Sequence, residues 1–329
     1  MATAVLINSE ISIVPMADAD LAGLERLFDE ECAEWLELLK WDFKGASMLV
    51  RDVVRERRLS GFVAMSGDAA VGFTYYLVEG SRCALGDIYV SRSWRGRGID
   101  REMALAFLAK IDRVSRVRRI ESQYVGIGND EADATFQARG FERLERYYKL
   151  LSINEAPEHR EASSLADAPD EEASISIRPW AQNDFAQAAR IIHRSYCDTA
   201  DSRINSQYRT EEGCAELLAI LTDHIWCGDF LGGVSCVALR PSGSLAGVLI
   251  ASRVSSGVGH IGQISVHPAH QNRGIGRRLI ETALEEFRRR GFSKVTLAVT
   301  NANQSADHLY ESCGFRTIHT FPVFYREKA

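Results

Sequence analysis

Two aliphatic runs, Val234 to Leu239 and Leu245 to Ser252, flank Arg240-Pro-Ser-Gly-Ser244, and this pattern predicts a β-hairpin. Upstream, Ile175-Ser-Ile-Arg178 reads as a short strand. Asp184 to Tyr196 has the spacing of an amphipathic helix, and a second helix is expected from Thr210 to His224 with an acidic first turn. Downstream, His260 to Val266 reads as another strand, stopped by Pro268. Ile275, Leu279, Ile280, Ala283, Leu284 and Phe287 then fall on one face of a long helix, and Arg288-Arg-Arg-Gly291 supplies the basic residues and the glycine of its C-terminus. Lys294 to Thr300 is a further strand, and Ser305 to Ser312 a short helix ending near Gly314. Strands and helices in this order make a mixed α/β (α+β) unit built on one sheet.

The same landmarks occur earlier in the chain. Ile11-Ser-Ile-Val-Pro15 returns as Ile175-Ser-Ile-Arg-Pro179, and Ile88-Tyr-Val90 followed by Arg95-Gly-Arg-Gly-Ile-Asp100 returns as Ile264-Ser-Val266 followed by Gln271-Asn-Arg-Gly-Ile-Gly276. Asn129, Ala132, Phe136, Gly140 and Phe141 match Asn303, Ala306, Tyr310, Gly314 and Phe315. The offset stays near ~175 residues, so the chain reads as one domain duplicated. Residues 1–153 form the first copy, 175–329 the second, and the acidic, Pro-punctuated stretch 154–174 a linker with too few apolar residues to order itself.

Composition narrows the function classes. A chain of 329 residues, 46% hydrophobic and 26% charged, is an ordinary globular protein. Its formal net charge of −6 argues against a dedicated nucleic-acid binder. No apolar stretch approaches the roughly 20 residues that cross a bilayer, and the start has no signal-peptide pattern. Seven scattered cysteines without a Cys-x-x-Cys pair suit thiols in a cytoplasm, and no metal site is expected.

The chemistry-bearing feature is the turn between a strand and the long helix. Gly274 and Gly276 let the backbone approach a ligand, and the free N–H groups of the helix start attract an anion beside Arg273, Arg277 and Arg278. A tight strand-helix turn would use the same glycines. A dinucleotide site is disfavoured because the third glycine of that pattern is missing.

Gln271-x-x-Gly274-x-Gly276 after Val266-His-Pro268, with Asn303-x-x-Ala306-x-x-Leu309-Tyr310-x-x-x-Gly314-Phe315 downstream, resembles the GNAT superfamily of acyl-CoA-dependent N-acetyltransferases. Asp87-Ile-Tyr-Val90 and Arg95-Gly-Arg-Gly-Ile in the first copy resemble the same signature. The resemblance implies two tandem GNAT-like domains, each a mixed central sheet flanked by helices. It implies acetyl-CoA as co-substrate, with its pyrophosphate on Gln271, Asn272, Arg273, Gly274, Ile275, Gly276 and Arg277, and its pantetheine beside Ile264, Ser265 and Val266. Asn303 would contact the cofactor arm, and Tyr310 would protonate the departing sulfur. His260 is the titratable candidate for a base, set against a packed strand histidine; Gly262 and Gln263 stand where the family often has glutamate. Asp198 and Asp201 are read as loop caps in preference to an amine-binding pair.

The copies differ. Asp100 stands where the second copy has Gly276, and Phe136 where it has Tyr310. The first copy therefore reads as degenerate and the second as catalytic. The expected activity is acetyl transfer to a primary amine of a small molecule or a peptide N-terminus, by a monomer or homodimer. Two alternatives stay open: transfer to a cysteinyl or aminoacyl conjugate, on a layout similar to that of mycothiol synthase, and a non-catalytic acyl-CoA-binding regulator.

Overall fold

The computed structural model describes residues 5–8, 11–122, 124, 125, 127, 130–153, 175–223 and 227–328. The expected linker, 154–174, lies outside the described residues, as does the last residue of the helix expected to end at His224. The chain forms two compact units: Met1–Glu37, Asp42–Arg146 and Phe321–Ala329 in the first, Leu38–Trp41 and Tyr147–Thr320 in the second. No helix among the described residues is long and apolar enough to cross a membrane.

In the first unit, β1 (Val5–Asn8), β2 (Ile11–Pro15), β3 (Ser60–Ser66), β4 (Ala69–Glu79), β5 (Arg82–Val90) and β6 (Arg119–Ser122) are neighbours in that order. Only β5 and β6 run parallel. Strand side chains alternate between two cores. Tyr89 packs with α1 (Leu21–Leu39) and α2 (Lys44–Arg55), whereas Ile88 and Val90 pack with α3 (Ile99–Ile111) and α4 (Asp130–Ala138).

The second unit repeats this plan. Its sheet runs β7, β13 (Lys294–Thr300), β12 (Val258–Val266), β11 (Leu245–Ser255), β10 (Cys236–Leu239), β8 (Ser176–Pro179), with β9 (Asp229–Phe230) beside β11. Here β7 (Glu142–Ser152) contributes its part from Tyr147 onward. The predicted hairpin is β10 and β11, and β11 is buried on both faces: Leu249 meets one core and Ile250 the other. Helices α5 (Phe185–Tyr196), α6 (Asp201–Ile204) and α7 (Glu211–Asp223) precede it in the chain. The long helix is α8 (Ile275–Arg289), and all six residues of its expected apolar face are buried. Helix α9 (Gln304–Ser312) follows.

The compact units do not follow the division read from the repeat. Residues before the linker complete the second unit: Leu151 and Ile153 join its core, and Ile153 N donates to Ser293 O at 2.9 Å. Lys149, fully buried, pairs with Asp307 at 2.5 Å and Glu311 at 3.0 Å on α9. Conversely, the second half of β14 (Arg316–Glu327) pairs with β6 in the first unit, Phe324 opposite Ser122. Sequence repetition reveals homologous strands but not the sheet edge each one joins, which is a tertiary choice. A chain starting at Ile175 is therefore expected to lose about 3–6 kcal/mol from two buried aliphatic side chains alone. Its melting point should fall by about 10 °C or more relative to a chain starting at Tyr147. Equal melting of the two by calorimetry would contradict the assignment of β7 to this unit.

Candidate active site

The site begins where two strands part. Strand β12 pairs in parallel with β13 only from Val258 opposite Lys294 to Ile261 opposite Leu297, although both strands continue. The register of β11 on β12 slips at the same place: Ile250 faces Gln263 and Ala251 faces Ile261, leaving Gly262 as a bulge. Beyond the bulge, Ile264, Ser265 and Val266 line a cavity of about 670 Å³. Their edge carbonyls already accept from side chains, Ile264 O from Tyr196 Oη at 3.0 Å and Val266 O from Ser195 Oγ at 2.9 Å and Gln271 Nε2 at 3.0 Å. Val266 O thus has both lone pairs engaged and Ile264 O is also reached by Gln263 Nε2 at 3.4 Å, so a ligand amide would take the place of one of these side chains.

The loop after β12 closes one end. His267 Nδ1 accepts from Ala269 N at 3.2 Å, and burial, with Arg194 nearby, holds this imidazole below its ordinary pKa, favouring the neutral form that can accept. Asn272 and Gly274 adopt positive φ, +60° and +77°, so the chain reverses into α8 with Gly274 as N-cap. The first helical bond runs from Arg278 N to Gly274 O at 3.0 Å, which leaves the preceding N–H groups to face the cavity with the positive end of the helix dipole. A Cβ on Gly276 would stand 3.2 Å from Leu309 Cδ2. Gln271, Asn272, Gly274, Ile275, Gly276 and Arg277 all line the cavity; Arg273 does not. Arg277 also ties α8 to α9, Nη2 donating to Ser312 Oγ at 2.6 Å.

Helix α9 brings the remaining residues. Asn303 lines the cavity, but its Oδ1 accepts from Ala306 N at 3.2 Å as the N-cap, so only its amide nitrogen is left to serve a ligand. Tyr310 also lines the cavity, 5% exposed, edge-on to Phe315 at 6.1 Å. His260 is not brought to this group. It lies in the closed part of the sheet opposite Thr296, with Nδ1 3.0 Å from Thr296 Oγ1 and its ring between Trp41 and Tyr148. Gln263 is held by Tyr208 Oη at 2.9 Å and donates to Ser265 Oγ at 3.0 Å, so the strand carries no ionisable group at the bulge. The far wall, Ser195, Tyr196, Thr199 and Asp201, comes from α5 and the turn into α6. Of these, only Asp201 stands out in the sequence, where its setting favours a loop cap.

Comparisons with known proteins identify the family. The acetyltransferase (GNAT) family model matches the chain twice, at residues 21–141 and 198–315. The chain belongs to the GNAT family. It is 36% identical over 69 residues to a mycothiol acetyltransferase of Rhodococcus jostii, which covers 21% of this chain and 23% of that relative. A mycothiol acetyltransferase of Geodermatophilus obscurus is 24% identical over 257 residues, 75% of each chain. Among solved structures, a GCN5-related N-acetyltransferase from Sphaerobacter thermophilus superposes with a TM-score of 0.62 at 16% identity, covering 98% of this chain and 97% of that one.

The first GNAT copy has the frame but a different filling. Gly96 and Gly98 keep positive φ, +70° and +74°, and β5 pairs in parallel with β6 from Arg82 opposite Arg119 to Leu85 opposite Ser122, the last described residue of β6. Asp100, 4% exposed, turns its carboxylate across to α4 and accepts from Ala132 N at 2.8 Å. That amide matches Ala306 N, so Asp100 caps α4 and puts an anion between the two helix starts. Asn129, the sequence match of Asn303, lies outside the described residues. Phe136 is fully buried against Phe141 and Phe324. The loop cations are engaged as well: Glu34, 1% exposed, accepts from Arg92 Nε at 2.7 Å and Arg95 Nη2 at 2.6 Å.

In the first copy Glu31 and Asp87 are buried and Asp133 is half-buried. Burial pushes Glu31 well above its usual range, reinforced by the charge of Asp87, and burial raises Asp87 too. Burial lifts Asp133, which accepts from Tyr124 Oη at 2.8 Å, to about 6. All three hold a proton more tightly when folded. Their stabilising contribution is complete below the unfolded carboxylate range and is lost as pH rises through the folded values. Asp133→Asn should therefore flatten the pH dependence of the denaturant midpoint between about pH 4 and 6. An unchanged slope would contradict the burial of this carboxyl.

Proposed function

We propose that the second GNAT copy transfers an acetyl group from acetyl-CoA to a primary amine of a small molecule or peptide N-terminus. The observation that carries this reading is the convergence of Tyr310, the free α8 N–H groups and the opened edge of β12 on one cavity. The cavity fits the donor. The α8 start with Arg277 suits the pyrophosphate, Gly276 leaves room for it, and the edge of Ile264 to Val266 suits the pantetheine amides.

The acceptor enters as a cation and loses a proton through water. Its neutral nitrogen attacks the thioester carbonyl directly, with no covalent enzyme intermediate, and binding supplies proximity. As the tetrahedral intermediate collapses, the C–S bond breaks and Tyr310 Oη gives its proton to the sulfur. A phenol of pKa near ~10 can protonate a thiolate of conjugate pKa near ~8.5 only in concert with that collapse. The proton shed by the new amide nitrogen restores the tyrosine. Neither His260 nor Arg273 has a step in this scheme.

The likeness to the Geodermatophilus obscurus mycothiol acetyltransferase over three quarters of both chains favours a second reading of the acceptor, an amine on a cysteinyl or aminoacyl conjugate. Thiol release from acetyl-CoA in the presence of an amine panel tests the proposal. Release that depends on an amine is expected; tight CoA binding with no release on any amine would instead support the regulator.

A further inference from the structure

Asp201 opens α6 and is 6% exposed, yet it forms part of the cavity wall. Among the described residues of that wall it is the sole carboxylate. Its Oδ1 accepts from Thr300 Oγ1 at 2.6 Å, at the end of β13 where the strands have parted. No described residue donates to its Oδ2, and no salt bridge reaches it. A carboxylate taken out of water needs more than one neutral hydroxyl to offset its lost hydration, so this oxygen is poised for a cation from the cavity. Tyr196 lines the same cavity, stacked on Tyr208 with centroids 4.6 Å apart. An aromatic wall next to a carboxylate is a favourable seat for an ammonium group.

We propose that Asp201 receives the ammonium of the acceptor through Oδ2 and thereby restricts the enzyme to cationic primary amines. The inference rests on the amine-acetyltransferase reading above. Thr300 fixes the carboxylate, Tyr196 adds an aromatic side chain to the same cavity, and the acetyl donor approaches from the α8 side.

Asp201→Asn is the deciding variant, since it keeps an oxygen to accept from Thr300 and removes only the charge. In the full chain, acetylation of spermidine, glucosamine and alaninamide is followed by thiol release, and binding of the same amines to the CoA-saturated protein by calorimetry. The expected result is an amine KM and Kd raised about tenfold or more, with kcat, acetyl-CoA KM and melting point little changed. An unchanged amine KM would overturn the proposal. So would a matching rise in acetyl-CoA KM, which would make Asp201 a structural clasp, or wild-type protein that binds none of the amines. If the wild type acetylates none of them, the amine-acetyltransferase reading fails by itself, and the calorimetric comparison still decides Asp201.

Discussion

Tyr310→Phe is expected to lower kcat by about 10²–10³-fold, with the KM for acetyl-CoA within about threefold of wild type. The lost group is one hydroxyl at the cavity, and no other cavity-lining side chain described here is a comparable acid near the middle of α9. Folding should survive the change, because the first copy carries Phe136 at the matching helix position, fully buried and packed. A thiol-release assay on purified protein, paired with a melting curve, separates chemistry from stability. Turnover within a factor of two of wild type would remove Tyr310 from the reaction.

Gly276→Asp is expected to weaken acetyl-CoA binding by about 10²–10³-fold. It rebuilds in the second copy the residue that the first copy has in Asp100. Two unit charges about 4 Å apart near a protein surface repel by about 4 kcal/mol. The new Cβ also meets Leu309 Cδ2 at 3.2 Å, so the side chain must crowd the space where the pyrophosphate would sit. An acidic residue in the first turn of a helix is favourable to the helix itself, so the loss should appear in binding and not in the melting point. Calorimetric titration with acetyl-CoA measures it, and undiminished affinity would show that the diphosphate does not rest on this turn.

Much of this site was legible in the sequence because it rests on local geometry. The glycine turn needs positive φ, the long helix needs one apolar face, and the cap at Asn303 needs a side-chain oxygen; each leaves a mark at fixed spacing. The difference between the copies was legible for the same reason, since Asp100 and Phe136 change the chemistry at marked positions. His260 was placed on the right strand, but Gly262 inserts an extra residue, so alternation counted from His260 does not carry across to Ile264. Tyr196 and Asp201 come from the end of α5 and the start of α6, which carry no motif and meet the cavity only through tertiary packing. The exchanged strands were hidden because β7 and β14 close equivalent positions, and their patterns of alternation do not name a sheet.

The central claim is that the duplicated chain has one acetyl-CoA site, in the copy that carries Tyr310. Isothermal titration of the full chain with acetyl-CoA tests it most directly. One equivalent bound per chain, lost in Gly276→Asp, is the predicted result; two equivalents, or one that survives that substitution, would contradict it.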